Sequence, residues 1–169
     1  GHDEAVPERL ARELPGVTCR TMPFFFEGGD LLADRTNLYV AGNFLARNAP
    51  WDGDQPAALL AMIGALLGRH VVPLGLAADD GPDHHIGMYL TPLGDGRLAL
   101  GDPDLGRALC GRPGFPDRRD RDLATTDEAA YAPFRAVAAR LEQLGLPVVR
   151  LPLVLTARPR VYVTYNNAI

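Results

Sequence analysis

Apolar residues recur along this chain at two spacings, one typical of strands and the other of helices. Short apolar runs between turn residues predict strands over residues 17–26, 70–74, 87–93, 97–101, 147–151 and 160–165, and a return strand made of residues 31–32 and 38–41. Apolar positions three and four residues apart predict helices over residues 3–14, 55–68, 102–111 and 126–144. The main order is therefore strand, strand, helix, strand, given twice and followed by one more strand.

This order predicts an internal repeat with units at about 17–74 and 87–151 and a last strand at 160–165. A ββαβ unit leaves one face of its sheet uncovered, so it needs neighbours to bury that face. We therefore predict a single α/β domain over residues 1–169 that forms part of a larger ring of such units.

The composition agrees with one folded domain and excludes several classes of protein. The 169 residues are 47% apolar, which is enough for a core, and the chain is too short for two domains of usual size. No apolar run reaches the roughly 20 residues of a membrane helix. The net charge of −4 offers no general basic surface for nucleic acid. The absence of lysine and serine excludes a serine nucleophile, a Schiff-base lysine and a Lys-Ser phosphate loop.

The two cysteines say little about chemistry. Cys19 and Cys110 lack the CxxC spacing of a zinc or redox site, and we predict no cofactor. Free thiols favour a reducing compartment, so we expect a cytoplasmic protein, while a disulfide between the two stays open. The first 15 residues do not resemble a signal peptide. Because the sequence does not begin with Met, we expect a cloning remnant or a piece of a longer protein.

A double glycine flanked by acids follows the first predicted strand: Glu27, Gly28, Gly29 and Asp30. Glycine lets the backbone adopt a positive φ and approach a ligand closely. Carboxylates at such a turn suit a planar guanidinium, whose fork of donors they accept in pairs. An ordinary hairpin turn with solvated acids is the alternative.

A second polar cluster, Asp83-His84-His85, stands just before the predicted strand at 87–93. A histidine at such a junction suits general acid–base catalysis, because imidazole exchanges protons near neutral pH. The neighbouring acid could orient the ring. A surface histidine pair and an incidental metal site are the alternatives. The spacing of a motif such as HExxH is absent, and we predict no metal.

Two further polar groups follow predicted strands. Arg47 could hold the carboxylate of a ligand through two parallel hydrogen bonds, or be one of many surface arginines. The sequence Thr-Tyr-Asn-Asn at 164–167 is either a turn or a ligand-facing edge, with Asn166 as the candidate ligand-binding amide.

Taken in order, these motifs resemble the guanidino-group-modifying enzyme superfamily, which includes arginine and agmatine deiminases, bacterial peptidylarginine deiminase, dimethylargininase and amidinotransferases. Phe-Glu-Gly-Gly-Asp at 26–30, followed by Arg47 and Asn48, is similar to one superfamily motif. His85 with Met-Tyr-Leu-Thr-Pro-Leu-Gly at 88–94 is similar to the catalytic-histidine strand. The closing Thr-Tyr-Asn-Asn resembles a segment of the agmatine deiminase-like branch. The resemblance covers residues 17–169 in the right order.

The resemblance implies a five-bladed α/β propeller of ββαβ units, of which this chain would hold about two and a half. It also implies covalent chemistry, in which a cysteine thiolate attacks the guanidinium carbon, an amine leaves with the help of the histidine, and water releases a urea-type product. Glu27 or Asp30 would bind the guanidinium, and His85 would be the acid–base catalyst. Arg47 would hold a substrate carboxylate. Asp83 and Asn166 are further candidates for substrate binding.

The chain departs from the superfamily in two places. Neither Cys19 nor Cys110 stands in the Gly-rich, His-containing context of the superfamily nucleophile, which lies past the Tyr-Asn-Asn segment. Gly87 stands two residues after the histidine, where many members have an aspartate that grips the substrate. These departures argue against a plain arginine or agmatine deiminase.

We therefore expect part of a deiminase-like hydrolase or amidinotransferase that acts on a small-molecule or peptidyl guanidino substrate, with its nucleophile outside this chain. The alternative is a non-catalytic module of the same fold that binds an arginine-like ligand or a protein partner. Unpaired strand edges predict a homo-oligomer, or packing against a further segment.

Overall fold

Two small three-stranded sheets with helices beside them form the framework of the protein. The computed structural model describes residues 5–52, 55–76, 80–110, 125–156, 162–164 and 166. Its α-helices are α1 (Val6–Glu13), α2 (Gly42–Asp52), α3 (Pro56–Leu67), α4 (Pro103–Cys110) and α5 (Ala132–Gln143). Its strands are β1 (Leu31–Ala33), β2 (Asn37–Val40), β3 (His70–Pro73), β4 (Leu90–Gly94), β5 (Arg97–Asp102), β6 (Val148–Pro152), β7 (Val154–Leu155) and β8 (Tyr162–Val163).

The two sheets have the same strand pattern. β1 runs antiparallel to β2, and β2 runs parallel to β3. β4, β5 and β6 repeat this arrangement. A parallel pair needs a crossover connection, which α2 and α3 supply in the first sheet and α4 and α5 in the second. The mixed α/β class is thus confirmed. Each sheet has two antiparallel strands followed by a helical connection and a third strand, as predicted, but the first two strands of the first sheet are not the predicted ones.

The side chains of β2 alternate between two apolar clusters. Leu38 and Val40 point to one side, where they pack with Leu59 and Ile63 of α3. Tyr39 points to the other side and belongs to a larger core. Because successive strand residues face opposite sides of a sheet, one strand supplies both clusters.

The larger core joins the two halves of the chain. Residues of β2 and β3 meet residues of β4, β5 and α5 in one continuous cluster. Ile86 and Leu153 are completely buried in it. This shared core fixes the position of one sheet relative to the other, which brings distant polar residues together.

The predicted strand over 17–26 is wrong. Residues 14–27 form no helix or strand, and most of them are exposed. The backbone N–H and carbonyl of Phe25 bond to the side-chain amide of Asn48, at 2.8 and 2.7 Å. Both backbone groups of Phe25 are therefore bonded to a side chain and not to a neighbouring strand. Pro23 has no N–H and cannot donate to a strand either.

Several other elements differ from expectation. The single return strand predicted over 31–32 and 38–41 is two paired strands, β1 and β2, because the chain turns between Asp34 and Asn37. The predicted strand at 87–93 begins only at Leu90, because Ile86–Met88 form one turn of 3-10 helix. The tight turn at Gly28 and Gly29 is likewise a 3-10 turn, Gly28–Asp30. α2 and β7 were not predicted. The other predicted helices are present with slightly different ends.

Within the part of the chain that the structure describes, no helix is long and apolar enough to cross a membrane. Of the predicted strand at 160–165, the described residues Tyr162–Val163 form β8. Tyr165 and Asn167 lie outside the described residues.

Candidate functional site

The turn that carries the two candidate carboxylates is held by its own backbone. The N–H of Asp30 donates to the carbonyl of Glu27 at 2.9 Å, and the N–H of Glu27 donates to Oδ2 of Asp30 at 2.9 Å. The N–H of Ala41, just after β2, donates to the carbonyl of Asp30 at 3.0 Å. Asp30 is only 3% exposed, so its carboxylate is fixed in direction.

Arg47 of α2 places its guanidinium on these two carboxylates. Its Nη2 lies 3.1 Å from Oδ2 and 3.2 Å from Oδ1 of Asp30. Its Nη1 lies 3.4 Å from Oε1 of Glu27. The chain thus contains an example of the interaction that the turn was predicted to make, a guanidinium held by Glu27 and Asp30 together.

His85 reaches the same turn from the other half of the chain. Its Nε2 lies 3.7 Å from Oε2 of Glu27. The imidazole packs against the backbone of Gly29. A Cβ at this position would lie 2.0 Å from Cγ of His85, so only glycine fits there. Ile86, the residue after His85, is buried in the core and so fixes the backbone next to His85.

These residues line one surface cleft of about 380 Å³. The lining residues are polar or charged, apart from the turn backbone: Glu27, Asp30, Asn43, Arg47, Asp83, His84 and His85. With neutral histidines, three carboxylates face one guanidinium, so the cleft has a net negative charge. Such a cleft favours a cationic ligand.

A larger groove of about 550 Å³ lies between the end of β3 and α5. Its lining is mainly apolar, and its charged residues are Asp80 and Arg140. This groove is lined by no histidine and no pair of carboxylates. The smaller cleft, which has both, is therefore the better candidate for acid–base chemistry.

His84 also lines the cleft; the sequence places it in the Asp83-His84-His85 cluster but gives it no role of its own. Burial, together with the nearby His85, lowers the pKa of His84, and Asp83 opposes this effect only in part. We therefore expect a neutral ring at neutral pH.

Asn43 was also missed. Its Nδ2 lies 3.5 Å from Oδ1 of Asp83, which connects α2 with the histidine loop. Asn43 precedes Arg47 by four residues, so both lie on one side of α2. A sequence prediction of α2 as a helix would therefore have placed Asn43 beside Arg47.

The structure brings Glu27, Asp30, Arg47, Asp83 and His85 together, but Asn166 lies elsewhere. Asn166 is 3% exposed, and its amide donates to the carbonyls of Tyr89 and Ala99 at 3.1 and 3.0 Å. It is not among the lining residues of the cleft. Its contacts connect the end of the described chain with β5 and the residue before β4.

Neither thiol lines the cleft: Cys19 is exposed in the irregular segment, and Cys110 is buried at the end of α4. Gly87 lies in the 3-10 turn and supplies no carboxylate. Among the described residues, no group of three or more His, Cys, Asp or Glu side chains is arranged to hold a metal ion.

No family model matches the sequence, and no curated protein matches it. Several solved structures resemble the fold, including two from C. jejuni. A Cys-to-Ser variant of agmatine deiminase from C. jejuni with its substrate bound matches with a TM-score of 0.64 and 19% identity, over 98% of this chain and 46% of that one. The agmatine deiminase from C. jejuni without the substitution matches with a TM-score of 0.63 and 18% identity, over 98% and 45%. This chain therefore has the fold of agmatine deiminase, a guanidino-modifying enzyme, and spans about half of its length.

Proposed function

We propose that this chain is the guanidinium-binding part of a deiminase-like protein. Glu27 and Asp30 hold the guanidinium of a small or peptidyl substrate, and His85 exchanges the protons of the reaction. The contact of Arg47 with both carboxylates carries this proposal, because the two acids already accept a guanidinium in the folded chain. The shared fold with agmatine deiminase supports it.

In this proposal the substrate guanidinium replaces that of Arg47 on the two carboxylates. Arg47 is on α2 and 37% exposed, so its long side chain has room to turn away from the turn. A released Arg47 is then available to pair with a carboxylate of the substrate, as the superfamily resemblance implies.

His85 acts as the acid–base group in the proposed reaction. A thiolate that lies outside this chain bonds to the guanidinium carbon, and the departing amine takes a proton from His85. Water then loses a proton to His85 and displaces the thiolate, giving the urea-type product. The carboxylate of Glu27 faces this imidazole, with its Oε2 3.7 Å from Nε2 of His85.

Asp83 supplies a third carboxylate to the cleft in this proposal. Gly87 offers no side chain where many superfamily members have an acid. Asp83 is an exposed lining residue of the cleft, and its Oδ1 lies 3.5 Å from Nδ2 of Asn43. Because Asp83 is one of the carboxylates that make the cleft negative, we assign it to a cationic group of the substrate, either the amine or the guanidinium.

Isothermal titration calorimetry tests the binding role. We expect agmatine to bind and 1,4-diaminobutane, which has an amine in place of the guanidinium, to bind at least several-fold more weakly. Glu27→Gln should weaken agmatine binding about tenfold, because a hydrogen bond to a charged group is worth roughly 1.5–3 kcal/mol and this site is partly exposed. Glu13→Gln, on the exposed helix α1, is the matched control. Equal affinity for both ligands, or no effect of Glu27→Gln, would contradict the proposal.

A non-catalytic module that binds an arginine-like ligand is the second candidate. One observation favours it: neither Cys19 nor Cys110 lines the cleft. Ammonia release from agmatine distinguishes the candidates when the natural full-length product is compared with this chain. Turnover by the full-length product that is lost in His85→Ala supports the enzyme. Binding without turnover in both supports the module.

We also propose that the two sheet units, at about 17–74 and 87–151, are blades of a five-bladed propeller. Among the described strands, β6 lies at the edge of its sheet, and its Val149 is 46% exposed. Such an edge favours pairing with a further segment or a second copy of the chain. Sedimentation of this chain should therefore show association, and a stable monomer over a wide concentration range would count against it.

A further inference from the structure

The loop before Ile86–Met88 brings a second imidazole into the cleft. The backbone N–H of His85 donates to Nδ1 of His84 at 2.9 Å. This bond needs a lone pair on Nδ1, so His84 carries its ring proton on Nε2 and is neutral. The contact therefore defines both the charge and the tautomer of His84.

His84 is itself held by elements from the end of the chain. Its ring centroid lies 5.0 Å from that of Tyr162 in β8, at an angle of 52°. Tyr162 in turn meets Phe134 of α5 edge-on at 5.4 Å. Aromatic pairs favour such tilted and edge-on contacts, so Tyr162, itself packed on Phe134, holds the His84 ring in place.

The ring of His85 is confined by two neighbours. The His84 ring stands edge-on to it, with 5.7 Å between centroids and an angle of 81°. The bare backbone of Gly29 lies against its Cγ, where a Cβ would come within 2.0 Å. Within these limits, Nε2 of His85 lies 3.7 Å from Glu27.

We propose that His84 is a positioning residue, which accepts the backbone N–H of His85 and packs against its ring so that the imidazole points toward Glu27. A half-exposed side chain without such contacts would occupy several rotamers. The inference rests on the proposed function for what His85 does to a ligand. The positioning itself exists in the ligand-free chain and is testable there.

The first test needs no substitution. The ring ¹⁵N resonances of His84 are recorded in protein labelled at histidine, at pH 7.5. We expect a neutral ring with an unprotonated, hydrogen-bonded Nδ1. A proton on Nδ1, in either the other neutral tautomer or the imidazolium, would overturn the proposal.

The second test compares two substitutions of His84 by amide side chains of different length. His84→Asn places an acceptor near the former Nδ1, whereas His84→Gln places its amide near the former Nε2. We expect the Asn variant to keep the amide proton shift of His85 and, because it lacks the ring, to bind agmatine with an affinity between those of wild type and the Gln variant. The Gln variant should lose the downfield amide shift and bind agmatine about 3-fold to 10-fold more weakly, which is the effect of one lost hydrogen bond. His70→Gln, an exposed histidine of β3, is the control.

The two readouts separate this inference from the proposed function. If wild-type protein does not bind agmatine, the proposed function fails, while the ring and amide resonances still test the role of His84. If the Asn and Gln variants have the same His85 amide shift and the same affinity, His84 does not position His85, even where agmatine binds.

Discussion

The hairpin that follows the candidate turn is organised by one carboxylate, and we expect its charge to stabilise the fold. Oδ1 of Asp34 accepts the N–H groups of Thr36 at 2.8 Å and Asn37 at 2.6 Å, and Oδ2 accepts the hydroxyl of Tyr39 at 2.8 Å. Burial alone would raise the pKa of Asp34, but these hydrogen bonds outweigh it and lower the pKa from 3.8 to about 2. Asp34→Asn keeps the size of the side chain and removes the charge.

The size of the effect follows from the change in pKa. One pKa unit corresponds to about 1.36 kcal/mol, so the full shift corresponds to ~2.4 kcal/mol of stability. Asp34 is only half-buried, and solvent screening reduces this to roughly 1–2 kcal/mol. Because the folded pKa is the lower one, the contribution is complete above about pH 4 and is lost as the pH falls through about 2.

Urea unfolding of wild type and Asp34→Asn between pH 7 and pH 2 measures this difference directly. The variant should be less stable by roughly 1–2 kcal/mol at pH 7, and the two curves should converge toward pH 2. Asp95→Asn is the control, because that side chain is 93% exposed and approaches Arg97 no closer than 4.0 Å. Equal stability at pH 7, or a difference that persists unchanged at pH 2, would refute the reasoning.

Three further substitutions and one glycine control test the packing of the fold, each by urea unfolding. Asn48→Ala should cost about 2–4 kcal/mol and speed the proteolysis of residues 14–27 relative to wild type, because three hydrogen bonds of a buried side chain are lost; an unchanged cleavage rate would contradict this. Asn166→Ala should cost about 2–3 kcal/mol without changing agmatine affinity, whereas lost affinity at unchanged stability would restore its role as a ligand residue. Gly106→Ala should cost about 3 kcal/mol, since its Cβ would lie 2.0 Å from the carbonyl oxygen of Leu153. Gly87→Ala, which faces open space, should change stability by less than about 0.5 kcal/mol, and equal effects at both glycines would contradict the steric argument.

Elements with local signals could be predicted from the sequence. The hairpin between β4 and β5 is an example, because Gly94 and Gly96 adopt positive φ angles of 85° and 71° at the turn. α3 is terminated by Gly68, the residue after Leu67, which has a φ of 61° in the left-handed region. The chemistry of these short segments decides their structure without distant contacts.

Elements that depend on distant contacts could not be predicted in this way. The apolar run with Phe24, Phe25 and Phe26 has the composition of a strand, but the amide of Asn48, 23 residues after Phe25, takes its backbone bonds. α2 begins at a glycine and contains a proline, which both weigh against a helix.

The candidate site was only partly accessible to sequence reasoning for the same reason. Residue types and order suggested Glu27, Asp30 and His85, because carboxylates and imidazole have recognisable chemistry. The contact of Arg47 with the carboxylates depends on α2 being a helix that faces the turn. The role of His84 depends on Tyr162, which lies 78 residues further along the chain.

The most direct test of a guanidinium site at this turn is an NMR titration of ¹⁵N-labelled protein with agmatine. We expect the backbone amides of Gly29, Asp30 and His85 to shift, together with the Nε–H of Arg47 as its guanidinium is displaced. The shifts should saturate with a single affinity and be weak with 1,4-diaminobutane. Shifts confined to the apolar groove beside α5, with Arg47 unmoved, would contradict the account.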